Sequence, residues 1–154
     1  MKSIRELLDE HPFFADLPPE TLALIAGCGV NVHFREDEHI ISENAPADHF
    51  WVLRSGRVAI EIDTPRKGLQ TIQTIGPGNL LGVSWLIPPH RWTFGARAVA
   101  PTSAISIDAA CMRAKCEADH DLGYEMMKRF AGLVRDRLQA TRLQLTDLYG
   151  SHAS

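Results

Sequence analysis

The sequence predicts a mainly β fold, a jelly-roll-like β-roll preceded by short N-terminal helices and followed by a long C-terminal helix. Three observations predict it. Residues 30–107 contain short runs in which apolar and polar side chains alternate, separated by turn sequences. Helical patterns precede this region and follow it from Asp108 onward. Several short strands at such spacing are typical of a β-sandwich or barrel.

Composition indicates one soluble domain. The chain has 154 residues, of which 45% are hydrophobic and 23% are charged, close to the averages of globular proteins. Its net charge of −3 gives no basic field that would attract nucleic acid. No apolar run approaches the roughly 20 residues that span a bilayer, and the first residues are too polar for a secretion signal. We therefore expect a cytoplasmic protein with no membrane partner.

The three cysteines are Cys28, Cys111 and Cys116. An odd and sparse set argues against a disulfide framework and is typical of a reducing compartment. Cys111 and Cys116 are also too far apart in sequence for a Cys-x-x-Cys redox motif. We therefore expect structural or incidental thiols.

The N-terminal segment, residues 1–29, is predicted to be helical over residues 4–9 and 18–27. The Pro18-Pro19 pair suits the start of the second helix, where a missing amide proton costs little. Gly27 suits the end of that helix. Two short helices are therefore expected before the first strand.

The central segment, residues 30–107, contains the predicted strands. Apolar and polar side chains alternate over residues 30–35 and again over residues 58–63, which is the period of a half-buried strand. Glycine, proline and asparagine mark the turns between runs. The predicted turns occupy residues 43–46, 64–68 and 76–78.

Residues 76–98 form the most informative stretch of the sequence. They predict a strand, a glycine turn, one short helix, a Pro-Pro stop and another strand. A helix start after a glycine turn favours an anion, because its first amides have no partner within the helix. Gly82 lets the backbone approach a ligand closely, Ser84 offers a hydroxyl, and Arg91 offers a planar cation for a phosphate. The stretch therefore predicts a phosphate cradle within a β-domain.

This stretch resembles the phosphate-binding cassette of the cyclic nucleotide-binding domain family. Residues 11–20 resemble the helical turn near the start of the family's domain, and residues 47–58 resemble its central strand pair around a glycine turn. The three matches occur in the family's order, and the resemblance extends over most of the chain. The resemblance implies a sensory β-roll whose ligand is cyclic AMP or cyclic GMP and which needs no other cofactor.

The cassette departs from the family at two positions. Family members that bind cyclic nucleotides carry Gly-Glu, in which the Glu takes the ribose 2′-hydroxyl, whereas the pair here is Gly82-Val83. Counted from Gly82 without gaps, the place of the family's phosphate-binding Arg holds Trp92, and Arg91 precedes it. The residues that the resemblance implies around a ligand are Leu81, Gly82, Val83, Ser84, Trp85, Arg91, Trp92 and Thr93.

Structural alternatives exist for these side chains. Trp85 and Trp92 are either core aromatics of the roll or a surface on which a base stacks. Arg91 either reaches the ligand or stays in solvent, because a shift of one residue along a strand reverses the direction of a side chain. Thr93 either bonds a phosphate or simply suits a strand. Arg97 is expected to be a structural ion-pair partner.

The C-terminal segment, residues 108–150, is predicted to hold the lid and dimerisation helices of the same single domain. A heptad seam alternates spacings of four and three residues; its members are Met127, Ala131, Val134, Leu138, Thr141, Leu145 and Leu148. A second apolar stripe is formed by Met126, Phe130 and Leu133. Two stripes indicate two partners, one within the chain and one outside it.

In the family that the sequence resembles, the last helix is both a lid over the ligand and a dimer interface. We therefore expect a parallel homodimer through this helix, with antiparallel pairing or packing within one chain as alternatives. Arg135 and Arg142 are candidates to close over an anionic ligand, and the alternative is ordinary exposed charge on a helix.

No enzyme or DNA-binding motif is recognised. The seven histidines contain no His-x-His pair of the kind that cupin metal sites use, and Ser84 lacks a nucleophile elbow. Beyond Tyr149 too few residues follow for a helix-turn-helix. We expect no catalytic residue, no metal and no DNA-binding domain in this chain, which would signal through an unknown protein partner.

Two functions therefore stay open. The first is a non-enzymatic regulatory module that binds a small phosphate-bearing ligand, cyclic AMP or cyclic GMP being the first to test. The second is a degenerate domain whose pocket is filled by its own Trp and Leu side chains and which acts as a dimeric interaction module. The glycine turn and Arg91 favour the first, and the loss of the ribose-binding Glu favours the second.

Overall fold

The computed structural model describes the backbone of residues 1–152 and the side chains of residues 1–147. The chain forms two compact units that divide between Lys115 and Cys116. The helices are α1 (Ile4–Asp9), α2 (Pro19–Ala26), α3 (Ala109–Ala118) and α4 (His120–His152). The strands are β1 (Gly29–Phe34), β2 (His39–Ile41), β3 (His49–Ser55), β4 (Val58–Thr64), β5 (Gly68–Ile75), β6 (Leu80–Leu81), β7 (Gly95–Ala98) and β8 (Thr102–Asp108).

The strands form two antiparallel four-stranded sheets. Their orders are β1-β8-β3-β6 and β2-β7-β4-β5. Strand β8 lies between β1 and β3, with Ile105 opposite Asn31 on one side and Val52 on the other. The predicted β-roll, with helices before it and a long helix after it, is confirmed.

The core of the first unit lies where the central strands meet. Four consecutive residues of β3, from Phe50 to Leu53, are buried, because this strand lies between β8 and β6 and is covered on both faces. In β4 the first four residues, from Val58 to Glu61, are likewise buried. The alternating pattern predicted exposure of one face of β4, and that prediction is wrong for its first half.

The N-terminal helices are held by local capping. Ser3 begins α1 and its hydroxyl accepts a hydrogen bond from the amide of Glu6 at 3.2 Å, which satisfies one free donor of the first turn. A single 3-10 turn follows at Pro12–Phe14. α2 begins at Pro19. The first amide of a helix has no acceptor within the helix, so the absence of an amide proton on Pro19 removes no hydrogen bond. Both predicted helices are confirmed.

Cys28 and Cys111 form a disulfide, with their Cα atoms 5.7 Å apart. The prediction of free thiols is therefore wrong for these two residues. The cause is the pairing of the first and last strands, because the amide of Asp108 donates to the carbonyl of Cys28 at 2.9 Å and so brings α3 to the start of β1. The free thiol is Cys116. The argument from cysteines for a reducing compartment loses its support, and cytoplasmic localisation stays a prediction.

The second unit contains α4, which carries the two predicted stripes. The side chains of Met126 and Phe130 are buried, whereas members of the heptad seam remain exposed. Met127, Val134, Leu138 and Leu145 each expose between 45% and 51% of their surface. The side chain of Leu148, the last member of the seam, lies outside the described residues. Over the described part of the chain, no helix combines the length and apolarity needed to cross a bilayer.

Candidate functional site

The cassette leaves β6 at Leu81 and reaches β7 at Gly95 without forming a helix. The predicted short helix is wrong: the segment contains two separate turns, in which the amide of Leu86 donates to the carbonyl of Val83 at 3.1 Å and the amide of His90 donates to the carbonyl of Ile87 at 3.0 Å. A continuing helix would need amide protons at residues 88 and 89, and both are prolines. Residues 82–94 therefore provide no helix start, and binding of an anion by their backbone stays a prediction.

The carbonyl of Trp85 has a different partner in place of a helical amide. The guanidinium of Arg113, in α3, donates to it from Nη1 at 2.6 Å. This contact fixes the turn of the cassette from outside. Sequence reasoning did not single out Arg113, and no local pattern indicated that it reaches the cassette.

Gly82 adopts a backbone φ of +107°, which residues other than glycine rarely adopt. A Cβ atom added there would lie 2.5 Å from Cη2 and 2.9 Å from Cζ3 of Trp92. The side chain of Trp92 is 3% exposed. The space that the glycine leaves beside its backbone is therefore occupied by the indole of the same cassette.

Both cassette tryptophans belong to aromatic stacks. Trp85 is fully buried and stacks on Phe50 with ring centroids 4.7 Å apart and planes 21° apart. Trp92 stacks on Trp51 at 6.0 Å and 29°. Phe94 contacts Trp92 from a tilted orientation at 5.8 Å. The structure thus places both indoles in the core, and a role in stacking on a base stays a prediction.

The position of Trp92 is set by backbone hydrogen bonds to a distant loop. Its amide donates to the carbonyl of Ala45 at 3.0 Å, and its carbonyl accepts from the amide of Asn44 at 2.9 Å. Two residues before Trp92, the carbonyl of His90 accepts a hydrogen bond from the amide of Ala47 at 2.7 Å. Sequence reasoning identified this loop only as a turn and missed its part in shaping the cassette.

The guanidinium of Arg91 is exposed and bonds the same loop. Its Nη1 donates to the carbonyl of Asn44 at 2.8 Å. Thr93 is also exposed, Val83 and Ser84 are half-buried, and Leu81 is buried. These predicted ligand residues thus differ in exposure along the cassette, and their contact with a ligand stays a prediction.

Arg97 forms the ion pairs that were expected of it. Its Nη1 lies 2.7 Å from Oδ1 of Asp37, and its Nη2 lies 3.2 Å from Oε2 of Glu61. The carboxylate of Glu61 is almost fully buried, and its hydrogen bond and charge raise the pKa of Arg97. Arg97 is thus committed to holding β4 and β7 together, and the structural interpretation is confirmed.

A family model now decides the relationship of the chain. The model described as cyclic nucleotide-binding domain matches residues 31–119, more than half of the sequence. The chain belongs to the cyclic nucleotide-binding domain family. The match begins in β1 and ends just after α3, so this cyclic nucleotide-binding domain contains both sheets and the whole cassette.

Known proteins are similar over most of this domain. A Geobacter metallireducens GS-15 protein, provisionally named a cyclic nucleotide-binding protein, is 33% identical with a TM-score of 0.79, covering 90% of this chain and 99% of its own. The catabolite activator protein of Thermus thermophilus has the same fold, with a TM-score of 0.69 at 21% identity, over 90% of this chain and 63% of its own.

Among curated proteins, the chain is similar to the CRP-like cAMP-activated global transcriptional regulator of Mycobacterium tuberculosis. The two are 25% identical over 145 residues, which cover 93% of this chain. The chain spans 62% of the length of that relative. The activity of the whole relative therefore does not pass to this chain by similarity alone.

The lid candidates of this domain lie on α4. Arg135 is exposed and pairs with the neighbouring Asp136 at 3.3 Å, and Arg142 is exposed. Sequence reasoning did not single out Arg137, which is half-buried; burial lowers the pKa of its guanidinium. Over residues 1–147, no three His, Cys, Asp or Glu side chains gather closely enough to hold a metal ion.

His11 is a buried titratable residue outside the cassette. It precedes the 3-10 turn, and its Nδ1 accepts a hydrogen bond from the amide of Phe13 at 3.3 Å. Burial lowers its pKa, while the nearby carbonyls of Asn79 and Leu53 act in the opposite direction. These carbonyls lie outside hydrogen-bonding geometry from Nε2. The sequence matched this residue to a family motif, and the structure gives it a capping role.

Proposed function

We propose that this chain is a non-enzymatic regulatory module of the cyclic nucleotide-binding fold, which acts through protein contacts of its last helix and whose cassette is closed by its own aromatic side chains. The contact of Trp92 with Gly82 is the observation that carries this proposal. Membership of the family supports the regulatory role, and the aromatic filling of the cassette supports the second of the two functions left open by the sequence.

The filling of the cassette opposes a tightly bound cyclic nucleotide. A group that approaches Gly82 from the side of its missing Cβ atom meets the indole of Trp92. Val83 offers no acceptor for a ribose hydroxyl, and a missing hydrogen bond to a charged group is worth about 1.5–3 kcal/mol. That loss alone weakens binding roughly ten- to a hundredfold relative to a Glu-bearing relative.

The heptad seam of α4 supports a protein contact. Its described apolar members stand about half exposed, and a fully buried side chain of this kind gains about 1.5–3 kcal/mol, although association and ordering offset much of the sum. A two-fold pair of helices covers the seam of each copy with that of the other. We therefore propose a parallel homodimer through α4.

Leu138→Glu is expected to convert the dimer to a monomer. The substitution places a charge near the middle of the seam, and two-fold symmetry brings the same charge from the second copy close to it. Light scattering at micromolar concentration measures the mass of both proteins. Gln139→Glu, which adds the same charge at an exposed neighbouring position outside the seam, serves as the control and should remain dimeric. A monomeric wild type would contradict the dimer.

A second candidate is a sensor of a phosphate-bearing ligand, with cyclic AMP and cyclic GMP as the first ligands to test. Three observations favour it: the family match, the positive φ retained at Gly82, and the exposure of Arg91. The contact of Arg91 with the carbonyl of Asn44 lies at the surface, so exchanging it for a phosphate costs little. In this candidate the ligand displaces Trp92 from Gly82.

Arg91→Ala separates the two candidates. A sensor that uses Arg91 is stabilised against heat by millimolar cyclic AMP or cyclic GMP, and the variant loses that stabilisation. The ligand-free melting temperature should change by no more than about 2 °C, because the side chain is exposed. Arg66→Ala, in the exposed β4–β5 turn, is the control. A wild type that no cyclic nucleotide stabilises excludes the second candidate.

A further inference from the structure

The disulfide joins two elements that are far apart in sequence. Cys28 lies between α2 and β1, and Cys111 lies in the first turn of α3. The two residues are 83 positions apart, and nothing in the function proposed above uses them.

The covalent bond lies within a small set of attachments between α3 and the α2–β1 junction. The amide of Asp108 bonds the carbonyl of Cys28, and the ammonium of Lys115 bonds the carbonyl of Leu24 at the end of α2. Met112 adds a buried side chain on the inner face of α3. The disulfide is the strongest of these attachments. Its opening leaves only these two hydrogen bonds between the α2–β1 junction and the segment that holds α3, while Arg113 and the apolar face of α3 keep their own contacts elsewhere.

The two cysteines of the disulfide differ in exposure. Cys28 is 7% exposed whereas Cys111 is half-buried, so we expect an attacking thiolate to reach the bond from the side of Cys111. Attack at Cys111 releases Cys28 as the thiolate.

We infer that Cys28 and Cys111 form a reversible thiol–disulfide site that a dithiol reductant opens and an oxidant of the disulfide class closes, so that the redox state decides whether α3 is covalently attached to the α2–β1 junction. A thiolate of the reductant bonds to Sγ of Cys111, the Cys28–Cys111 bond breaks, and Cys28 leaves with the electron pair and takes up a proton. The second thiol of the reductant then displaces Cys111. Two electrons and two protons reach the cysteine pair, and the reductant becomes a cyclic disulfide.

Reduction of the Cys28–Cys111 disulfide is expected to affect α3. The chain passes from the first compact unit to the second between Lys115 and Cys116, within this helix. Reduction releases the N-terminal turn of α3 from its covalent bond. The amides of residues 109–115 should then exchange with solvent faster, and oxidation should return them to slow exchange.

The test uses the full chain, purified in air. Alkylation of the unfolded, unreduced protein should modify one thiol, that of Cys116, and alkylation after dithiothreitol treatment of the folded protein should modify three. Reduction should lower the melting temperature by about 5–10 °C, since the bond closes a long loop. Hydrogen exchange over residues 109–115 should increase. Oxidised glutathione should reverse all three changes.

Two variants complete the test. Cys28→Ser should reproduce the melting temperature of the reduced wild type and ignore dithiothreitol, whereas Cys116→Ser should respond to it as the wild type does. The comparison of reduced and oxidised wild type needs no variant, so it decides the matter if Cys28→Ser does not fold. Three free thiols before reduction, or a disulfide that dithiothreitol does not open in the folded chain, would overturn the proposal.

Discussion

Gly82→Ala is expected to lower the free energy of unfolding by about 2–5 kcal/mol. Two effects add. The φ of +107° strains any residue with a Cβ atom, and the new methyl group would lie 2.5 Å from the indole of Trp92. Because Trp92 is buried and stacked on Trp51, it has little room to move away. Urea unfolding of the variant and the wild type measures the difference.

Gly68→Ala separates the two effects. Gly68 also has a positive φ, +70°, but a Cβ atom there meets nothing within 4 Å. This control should lose only about 1 kcal/mol. The double variant Gly82→Ala with Trp92→Leu should be less destabilised than the sum of its parts, because the smaller side chain relieves the clash. Equal losses for the two glycine variants would show that Trp92 does not fill the space at Gly82.

Arg97→Met is expected to lower the free energy of unfolding by about 2–4 kcal/mol, somewhat less than for a fully buried pair because the Arg97 side chain is 28% exposed. The substitution keeps most of the aliphatic volume but removes the cation from Glu61. The carboxylate of Glu61 is 4% exposed and accepts its hydrogen bond from Nη2 of Arg97. It would remain buried without that counter-charge. Thermal and urea unfolding at neutral pH measure the loss.

Asp37→Asn is the matched control for the other partner of Arg97. The side chain of Asp37 is 76% exposed, so removal of its charge should cost no more than about 1 kcal/mol. The double variant Arg97→Met with Glu61→Met should regain much of the stability lost in the single variant, because no unpaired charge is then buried. If Arg97→Met lowered the free energy of unfolding no more than Asp37→Asn does, the proposed contribution of the buried Arg97–Glu61 pair to stability would be wrong.

The fold could be predicted because its signals are local. The period of two in residues 58–63 marked a strand, and the proline pair before Glu20 marked the start of α2 within one residue. The order of the strand and turn sequences matched the family, so the arrangement of the two sheets followed from the resemblance. The second apolar stripe of α4 is buried at Met126 and Phe130 but only half-buried at Leu133, and the pairing of the heptad seam with a second copy stays a prediction.

The details of the cassette could not be predicted because they depend on distant residues. The sequence predicts that the Pro-Pro pair ends a helix, whereas in the structure turns alone precede it, because Pro88 and Pro89 lack the amide protons that a continuing helix needs. The position of Trp92 depends on its backbone hydrogen bonds with Asn44 and Ala45, nearly fifty residues earlier in the chain. The spacing of residues around Gly82 does not indicate that these hydrogen bonds form.

The buried charge and the disulfide escaped prediction for the same reason. Glu61 occupies a polar position in an alternating strand, and only the neighbouring β7 brings Arg97 to cover it. Cys28 and Cys111 meet because β1 pairs with β8, which the spacing of three cysteines does not reveal. In each case the pairing of strands, and not the local pattern, decides the contact.

Calorimetric titration of the purified chain with cyclic AMP and cyclic GMP tests the closed cassette most directly. Because Trp92 fills the space at Gly82 and Val83 replaces the ribose-binding Glu, we expect no binding at submicromolar concentration for either nucleotide. Trp92→Leu provides the comparison, since it opens the space without restoring the missing Glu. Saturable submicromolar binding of cyclic AMP by the wild type would contradict the closed cassette and establish the sensor in its place.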